Sequence, residues 1–142
     1  MLTANASTDS KTVFLVDDDS STADLYSKGL ERAGFNIASA FDAKKAIEVL
    51  SQLSPDLIIL DLMLPKRKGL EMLEAIRSDS RYKDTPVLLL CNAYLPDMAQ
   101  RALKAGASKA LLKSECTSSE LLSVSRELMG KKDSSAPQPI EI

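Results

Sequence analysis

The chain has 142 residues, of which 44% are hydrophobic and 27% charged, as expected for one globular domain with a single hydrophobic core. Its net charge of −2 gives no reason to expect direct binding to nucleic acid or an anionic membrane, and no apolar run reaches the length of a membrane span, so we expect a cytoplasmic protein. Histidine is absent and the two cysteines lack metal-ligand spacing, which excludes Ser-His and Cys-His catalysis and histidine metal sites.

Five apolar runs alternate along the chain with segments of helical periodicity. Each run has about five residues, the usual length of a strand. The predicted strands are Thr12–Val16, Phe35–Ser39, Asp56–Leu60, Pro86–Leu90 and Ser108–Leu112. The third and fourth are apolar without alternation, which is typical of strands that helices cover on both faces of a parallel sheet.

Capping residues and glycines delimit the helical segments. Ser21 with Asp24, and Thr117 with Glu120, resemble capping boxes that open the first and fifth helices, and Asp42 is the expected N-cap of the second. Glycines are the expected helix ends, at Gly34, Gly106 and Gly130. Strands and helices that alternate in this way predict a (βα)₅ chain, which is a doubly wound α/β fold with a parallel sheet.

The two ends of the chain differ in composition from the rest. Residues 1–10 and 131–142 are polar and carry no apolar period, and the second segment contains two prolines. We expect a disordered N-terminus and a disordered tail or linker stub on either side of one domain at residues 11–130.

Ionisable side chains stand at the carboxyl ends of the predicted strands. Asp17 and Asp18 follow the first strand, Asp61 the third and Lys113 the fifth. Parallel strands bring these ends to one edge of the sheet, where ligands bind in such folds. Carboxylates without histidine or cysteine favour Mg²⁺, and lysine suits a phosphoryl oxygen. These groups supply the nucleophile, cation site and anchor that an acyl-phosphate requires.

Four segments resemble the receiver domain of two-component response regulators, and the similarity extends over residues 11 to 130. The segments are FLVDDDSSTADLY, PDLIILDLMLPKRKGLEML, TPVLLLCNA and GASKALLKS. The resemblance implies a flavodoxin-like sandwich with strand order 2-1-3-4-5. It also implies a signalling protein that is not an enzyme, with at most its own phosphorylation and dephosphorylation as activities.

The resemblance also implies a role for each polar residue. Asp61 would be the phospho-acceptor and Lys113 the phosphate-binding residue. Mg²⁺ would be held by Asp17, Asp18 as a direct ligand, Asp61 and the backbone carbonyl of Met63. The expected phosphoryl donor is the phosphohistidine of a sensor histidine kinase or phosphotransfer protein. A homodimer through the face of helix four, strand five and helix five is a further expectation, whereas the output partner is not predicted.

Four positions depart from the family pattern. Cys91 replaces the Thr or Ser whose hydroxyl turns toward the phosphoryl group, and Asn92 replaces the small residue that follows. Ala110 replaces the switch aromatic, and Ser114 replaces the proline after Lys113. We therefore expect weak transmission of the signal. Without proline, we also expect a trans bond between residues 113 and 114, with the loop and Lys113 displaced.

Two other functions fit parts of the pattern. The departures allow a pseudo-receiver, an interaction module that is not phosphorylated. Asp17, Asp19 and Ser21 approach the D-x-D-x-T motif of haloacid-dehalogenase-type phosphatases, in which Asp17 would be the nucleophile. That class also needs a later acidic pair, which has no clear counterpart here. Asp19 is otherwise expected to be a cap or surface residue, and Cys91 a small buried hydrophobe.

Overall fold

A computed structural model describes residues 11–64, 68–91 and 96–131. They form a five-stranded parallel sheet of order β2-β1-β3-β4-β5, so the predicted fold class and strand order are confirmed. The strands are β1 Thr12–Val16, β2 Asn36–Ala40, β3 Leu57–Asp61, β4 Val87–Cys91 and β5 Lys109–Leu112. The middle three lie one residue later than predicted. As a result, Asp61 and Cys91 are the last residues of their strands, and hydrogen bonding along the sheet fixes their backbones.

In the described part of the chain, five α-helices cover the two faces of the sheet. They are α1 Ser20–Arg32, α2 Ala43–Leu50, α3 Lys68–Ser78, α4 Pro96–Lys104 and α5 Ser118–Lys131. Helices α1 and α5 share one core with alternate residues of β1, β3 and β4, and α2, α3 and α4 share the other core with the remaining residues of these strands. Every residue of β3 and β4 is buried, as the unbroken apolar runs predict.

The N-terminus of α1 differs from the prediction. Asp19, not Ser21, is the N-cap, and its carboxylate accepts hydrogen bonds from the Ser21 N–H at 3.0 Å and the Thr22 hydroxyl at 2.9 Å. Both Asp and Ser are good capping residues. Asp19 has the extended backbone of an N-cap residue, with φ −93° and ψ 103°, and its carboxylate meets the N–H groups of the first turn.

The other helix signals agree with the structure, apart from one terminus. The Asp42 carboxylate accepts from the Lys45 N–H at 2.7 Å, and the Thr117 hydroxyl accepts from the Glu120 N–H at 3.0 Å. Gly106 has φ +114°, a left-handed conformation that residues with a side chain rarely adopt. Helix α5 continues through Gly130 to Lys131, the last described residue, so it does not end at Gly130 as expected.

Some expectations concern residues that the structure does not describe. The loose ends predicted at residues 1–10 and 131–142 lie outside the described residues, except for Lys131, and Asn92 lies outside them too. The limits of the domain therefore stay a prediction. Among the helices that the structure describes, none is both long and apolar enough to cross a membrane.

Candidate functional site

Three aspartates come together at the carboxyl edge of the sheet. Strands β1 and β3 are neighbours with Val16 paired to Leu60, so Asp17 and Asp61 lie level with each other. One carboxylate oxygen from each of Asp17, Asp18 and Asp61 lies within 4.8 Å of the others. Asp17 and Asp61 are 0% and 1% exposed, whereas Asp18 faces solvent. Two of the three carboxylates are therefore buried, and the third leaves one side of the cluster open to solvent.

Lys113 extends into this cluster from the end of β5. Its Nζ lies 2.9 Å from both carboxylate oxygens of Asp17 and 3.3 Å from Oδ2 of Asp61, and its side chain is only 8% exposed. The Lys113–Ser114 peptide bond is trans, as expected. The expected displacement of Lys113 is wrong, because the 3₁₀ turn Lys113–Glu115 still directs the ammonium group at the carboxylates.

Backbone N–H groups orient the two buried carboxylates. Oδ1 of Asp17 accepts from the Asp19 N–H, and Oδ1 of Asp61 accepts from the Met63 N–H, each at 2.9 Å. Each bond spans two residues, as in an Asx turn. Oδ2 of Asp17 is buried and accepts no hydrogen bond of good geometry from the described residues, although the ammonium is close to it. An acceptor of this kind is suited to a cation or a water molecule.

Burial and charge act in opposite directions on the titration of this cluster. Burial raises the pKa of Asp61, and the Asp17 carboxylate adds to this effect. The Met63 N–H and the Lys113 ammonium oppose it, but the pKa remains above its usual value. Burial lowers the pKa of Lys113, yet the Asp17 hydrogen bond and the two carboxylate charges outweigh burial and raise it overall. Lys113 is therefore a stable cation beside Asp61.

The donor set fits Mg²⁺. It consists of carboxylate oxygens only, grouped around a buried acceptor that lacks a well-aligned donor within the described residues. Mg²⁺ prefers oxygen ligands, often uses one or two carboxylates, and keeps several waters. The exposed Asp18 leaves a side of the cluster where such waters have room.

Gly69 was missed by the sequence reasoning and lies directly against this site. A Cβ atom at Gly69 would lie 2.3 Å from the carbonyl oxygen of Leu62 and 2.8 Å from that of Asp61. Only glycine lets the first turn of α3 approach the backbone after Asp61 so closely. The sequence did offer a signal for this close approach. A glycine lies at the start of a helical segment that follows soon after a strand ending in an aspartate.

Of the positions that depart from the family pattern, Cys91 lies close enough to Asp61 to be influenced by its charge. Cys91 is 6% exposed, and burial together with the Asp61 charge raises the pKa of its thiol, so it remains protonated. This agrees with its expected place as a small buried hydrophobe. Ala110 is partly buried against the same core. The Asp19 carboxylate caps α1, which is one of the two roles expected for it outside a phosphatase motif.

Comparison with known proteins identifies the family. The model of the response regulator receiver domain matches residues 13–125, which is most of the chain. The chain belongs to the response regulator receiver domain family. The match includes all four side chains of the cluster, so the receiver domain places them at the sheet edge where ligands bind in doubly wound folds.

Relatives and solved structures agree with this assignment. The chain is 45% identical over 78 residues to the DNA-binding dual master transcriptional regulator RpaA of Synechocystis, covering 55% of this chain and 32% of that protein. It is 31% identical over 103 residues to the phosphate regulon regulator PhoB of Pseudomonas aeruginosa, covering 72% and 45%. The chain thus spans less than half the length of these relatives.

Two solved structures match this chain over almost their whole length. The chemotaxis response regulator CheY4 of Vibrio cholerae superposes with a TM-score of 0.78 and 30% identity, covering 84% of this chain and 98% of that one. The receiver domain of Francisella response regulator 1452 superposes with a TM-score of 0.77 and 26% identity, covering 85% and 98%.

Proposed function

We propose that this receiver domain accepts a phosphoryl group on Asp61 in a Mg²⁺-dependent reaction and so relays a two-component signal. The observation that carries the proposal is the buried Asp61 carboxylate with the Lys113 ammonium 3.3 Å from Oδ2 and two further aspartates beside it. A carboxylate, a cation site and a fixed positive charge are the groups that phosphoryl transfer to an aspartate needs.

The transfer itself requires little covalent chemistry from the protein. A carboxylate oxygen of Asp61 forms a bond to phosphorus while the bond between phosphorus and the donor's imidazole nitrogen breaks. The chain has no histidine, so the imidazole belongs to a partner, a sensor histidine kinase or a phosphotransfer protein. The Met63 N–H holds Oδ1 of Asp61 and thereby fixes the direction from which the carboxylate meets the phosphoryl group.

Asp17, Asp18, Asp61 and the backbone carbonyl of Met63 would hold Mg²⁺, with Asp18 as a direct ligand. When bound, the ion neutralises the negative charge that gathers as a phosphoryl group approaches three carboxylates. Lys113 contributes a second positive charge, and its ammonium can exchange its contact with Asp61 for one with a phosphoryl oxygen. Burial of that ammonium strengthens the attraction because little water screens it.

The later steps of the signal are part of the same proposal. The thiol of Cys91 is a weak donor and Ala110 has no ring to rotate, so phosphorylation would alter the α4–β5 surface only weakly. That surface, with Leu103 of α4 46% exposed, is where a homodimer would form. The relatives RpaA and PhoB are named as transcriptional regulators, and here a separate partner or domain would receive the signal in the cytoplasm.

Acetyl phosphate and MgCl₂ test the proposal directly. Intact-mass spectrometry should record one added phosphoryl group on the wild-type chain, none with EDTA, and none in Asp61→Asn. Asp19→Asn is a matched control that changes a nearby exposed carboxylate outside the Mg²⁺ set, and it should still be phosphorylated. A wild-type chain that gains no mass, while a known receiver does so in parallel, would establish a pseudo-receiver instead.

The phosphatase alternative has its own signature. Turnover of p-nitrophenyl phosphate that is lost in Asp17→Asn and retained in Asp61→Asn would favour it. The geometry argues against that outcome, since both oxygens of Asp17 lie 2.9 Å from the Lys113 ammonium, closer than its 3.3 Å contact with Asp61.

A further inference from the structure

The 3₁₀ turn Lys113–Glu115 has few hydrogen bonds of its own. Within the part of the chain that the structure describes, Leu112 provides no side-chain cap for it, and the backbone bond that closes it, from the Cys116 N–H to the Lys113 carbonyl, is 3.4 Å long. Ser114 adds no ring to restrict the backbone. The position of the ammonium group therefore depends on contacts from outside the turn.

Tyr26 of α1 provides such a contact. Its hydroxyl donates to the Cys116 carbonyl at 3.0 Å, although the two residues are 90 positions apart in the sequence. The side chain is 3% exposed and packs in the core between α1, α5 and the sheet, with Leu30 and Leu121. A buried carbonyl that loses such a donor is left unpaired, at the full cost of its desolvation. The contact therefore strongly favours one position of Cys116.

The same helix also holds the other side of the site. Asp19 caps α1, and its N–H orients Oδ1 of Asp17, which is the oxygen that accepts from Lys113. Tyr26 lies two turns further along α1. One rigid element thus carries both the bond that orients Asp17 and the bond that anchors the lysine turn.

We infer that Tyr26 is a positioning residue: through the Cys116 carbonyl, its hydroxyl holds the turn from which Lys113 reaches Asp17 and Asp61. It does for this chain what a proline ring after the lysine would do by covalent restraint. The inference rests on the proposed phosphorylation of Asp61 for its kinetic consequence, but its structural part can be measured without phosphorylation.

Tyr82 provides a matched control for the loss of a buried hydroxyl. It is 4% exposed and donates to the Leu50 carbonyl at 2.6 Å, near the amino ends of the strands and away from the aspartates. Tyr26→Phe and Tyr82→Phe each remove one phenol oxygen that donates to a buried carbonyl, and both keep the ring in the core. The Leu50 carbonyl still accepts from the Leu53 N–H at 3.0 Å, so the stability that each variant loses is measured separately. A purely structural role for Tyr26 predicts the same consequences for both variants.

The experiment compares the two variants by NMR and by phosphorylation rate. The ¹³Cε–¹Hε signal of Lys113, assigned with Lys113→Arg, should shift in metal-free Tyr26→Phe and stay in place in Tyr82→Phe. The initial rate of phosphorylation by acetyl phosphate should fall roughly five- to tenfold in Tyr26→Phe, because a misplaced anchor costs rate, and change less than about twofold in Tyr82→Phe. Urea unfolding of both variants shows how much stability each has lost.

Each result separates the two proposals. If the Lys113 signal has the same position in Tyr26→Phe and Tyr82→Phe, the positioning role is refuted, even if the wild-type chain is phosphorylated. If the signal shifts but the wild-type chain takes up no phosphoryl group, the positioning of Lys113 stands and the phosphorylation proposal fails. If the signal shifts and the rate is unchanged, Tyr26 positions the lysine but the reaction does not depend on it, which overturns the kinetic part.

Discussion

The substitution Gly69→Ala tests how closely α3 is held against the backbone after Asp61. Alanine normally stabilises a helix interior by roughly 1 kcal/mol relative to glycine. Here the new methyl group would lie 2.3 Å from the Leu62 carbonyl oxygen and 2.7 Å from its carbon, so it or the backbone must move by about 1 Å. Overpacking of this kind typically costs about 1–3 kcal/mol. We therefore expect a net loss of stability.

Gly29→Ala is the matched control for this prediction. Gly29 lies inside α1, and a Cβ there would have its nearest neighbour, the Ser118 Cβ, at 3.6 Å, which is ordinary contact. The unopposed gain in helix propensity should raise the free energy of unfolding by about 0.5–1 kcal/mol. The same chemical change should thus lower the free energy of unfolding at Gly69 and raise it at Gly29.

Urea unfolding and the Met63 amide signal measure the outcome. In Gly69→Ala the displaced backbone should weaken the Met63 N–H bond to Asp61, so the amide resonance should shift and phosphorylation by acetyl phosphate should slow. Gly29→Ala should leave the amide and the rate unchanged. A Gly69→Ala chain that is more stable than wild type, with its Met63 amide in place, would refute the close packing inferred here.

Three further predictions use other contacts. The Arg77 guanidinium donates from Nε to the Gly106 carbonyl at 2.9 Å and from Nη1 to the Tyr82 carbonyl at 2.7 Å. One ammonium cannot make both bonds, so Arg77→Lys should lower the free energy of unfolding by roughly 1–3 kcal/mol in urea titrations. Equal unfolding midpoints for the two chains would contradict this. Burial, aided by the nearby Cys116 and Asp17, raises the pKa of Tyr26 to about 12, whereas the unfolded chain has the ordinary value of 10. The stability that the protonated hydroxyl contributes should therefore be complete below pH 10 and disappear as the pH rises through 12. Tyr26→Phe should lack this component of the alkaline decline, and parallel curves for both chains would exclude it. Cys91→Thr should enlarge the NMR shifts that beryllofluoride causes on β5, because a hydroxyl is a better donor than a thiol, whereas unchanged shifts would show that the thiol does not limit the signal.

Local pattern was sufficient for the elements and for the identity of the acidic residues. The unbroken apolar runs of β3 and β4 predict strands buried on both faces, since each side chain meets a helix whichever way it points. Asp42, Thr117 and Gly106 mark helix ends through contacts within a few residues, which a sequence displays directly. The N-cap of α1 was predicted at Ser21, although Asp19 is an equally good capping residue two positions earlier, and only the structure shows which side chain meets the first N–H groups of the helix.

Contacts between distant segments could be determined only by the tertiary structure. The approach of Gly69 to Leu62 and the bond from Tyr26 to Cys116 depend on how helices sit on the sheet, and no periodicity encodes them. The same holds for Lys113, whose displacement was predicted wrongly because its contacts with Asp17 and Asp61 join segments that are far apart along the chain. The sequence by itself determined which chemical groups reach the edge of the sheet. Packing determined the ångström-scale distances between them, since those distances are set by segments that are far apart along the chain.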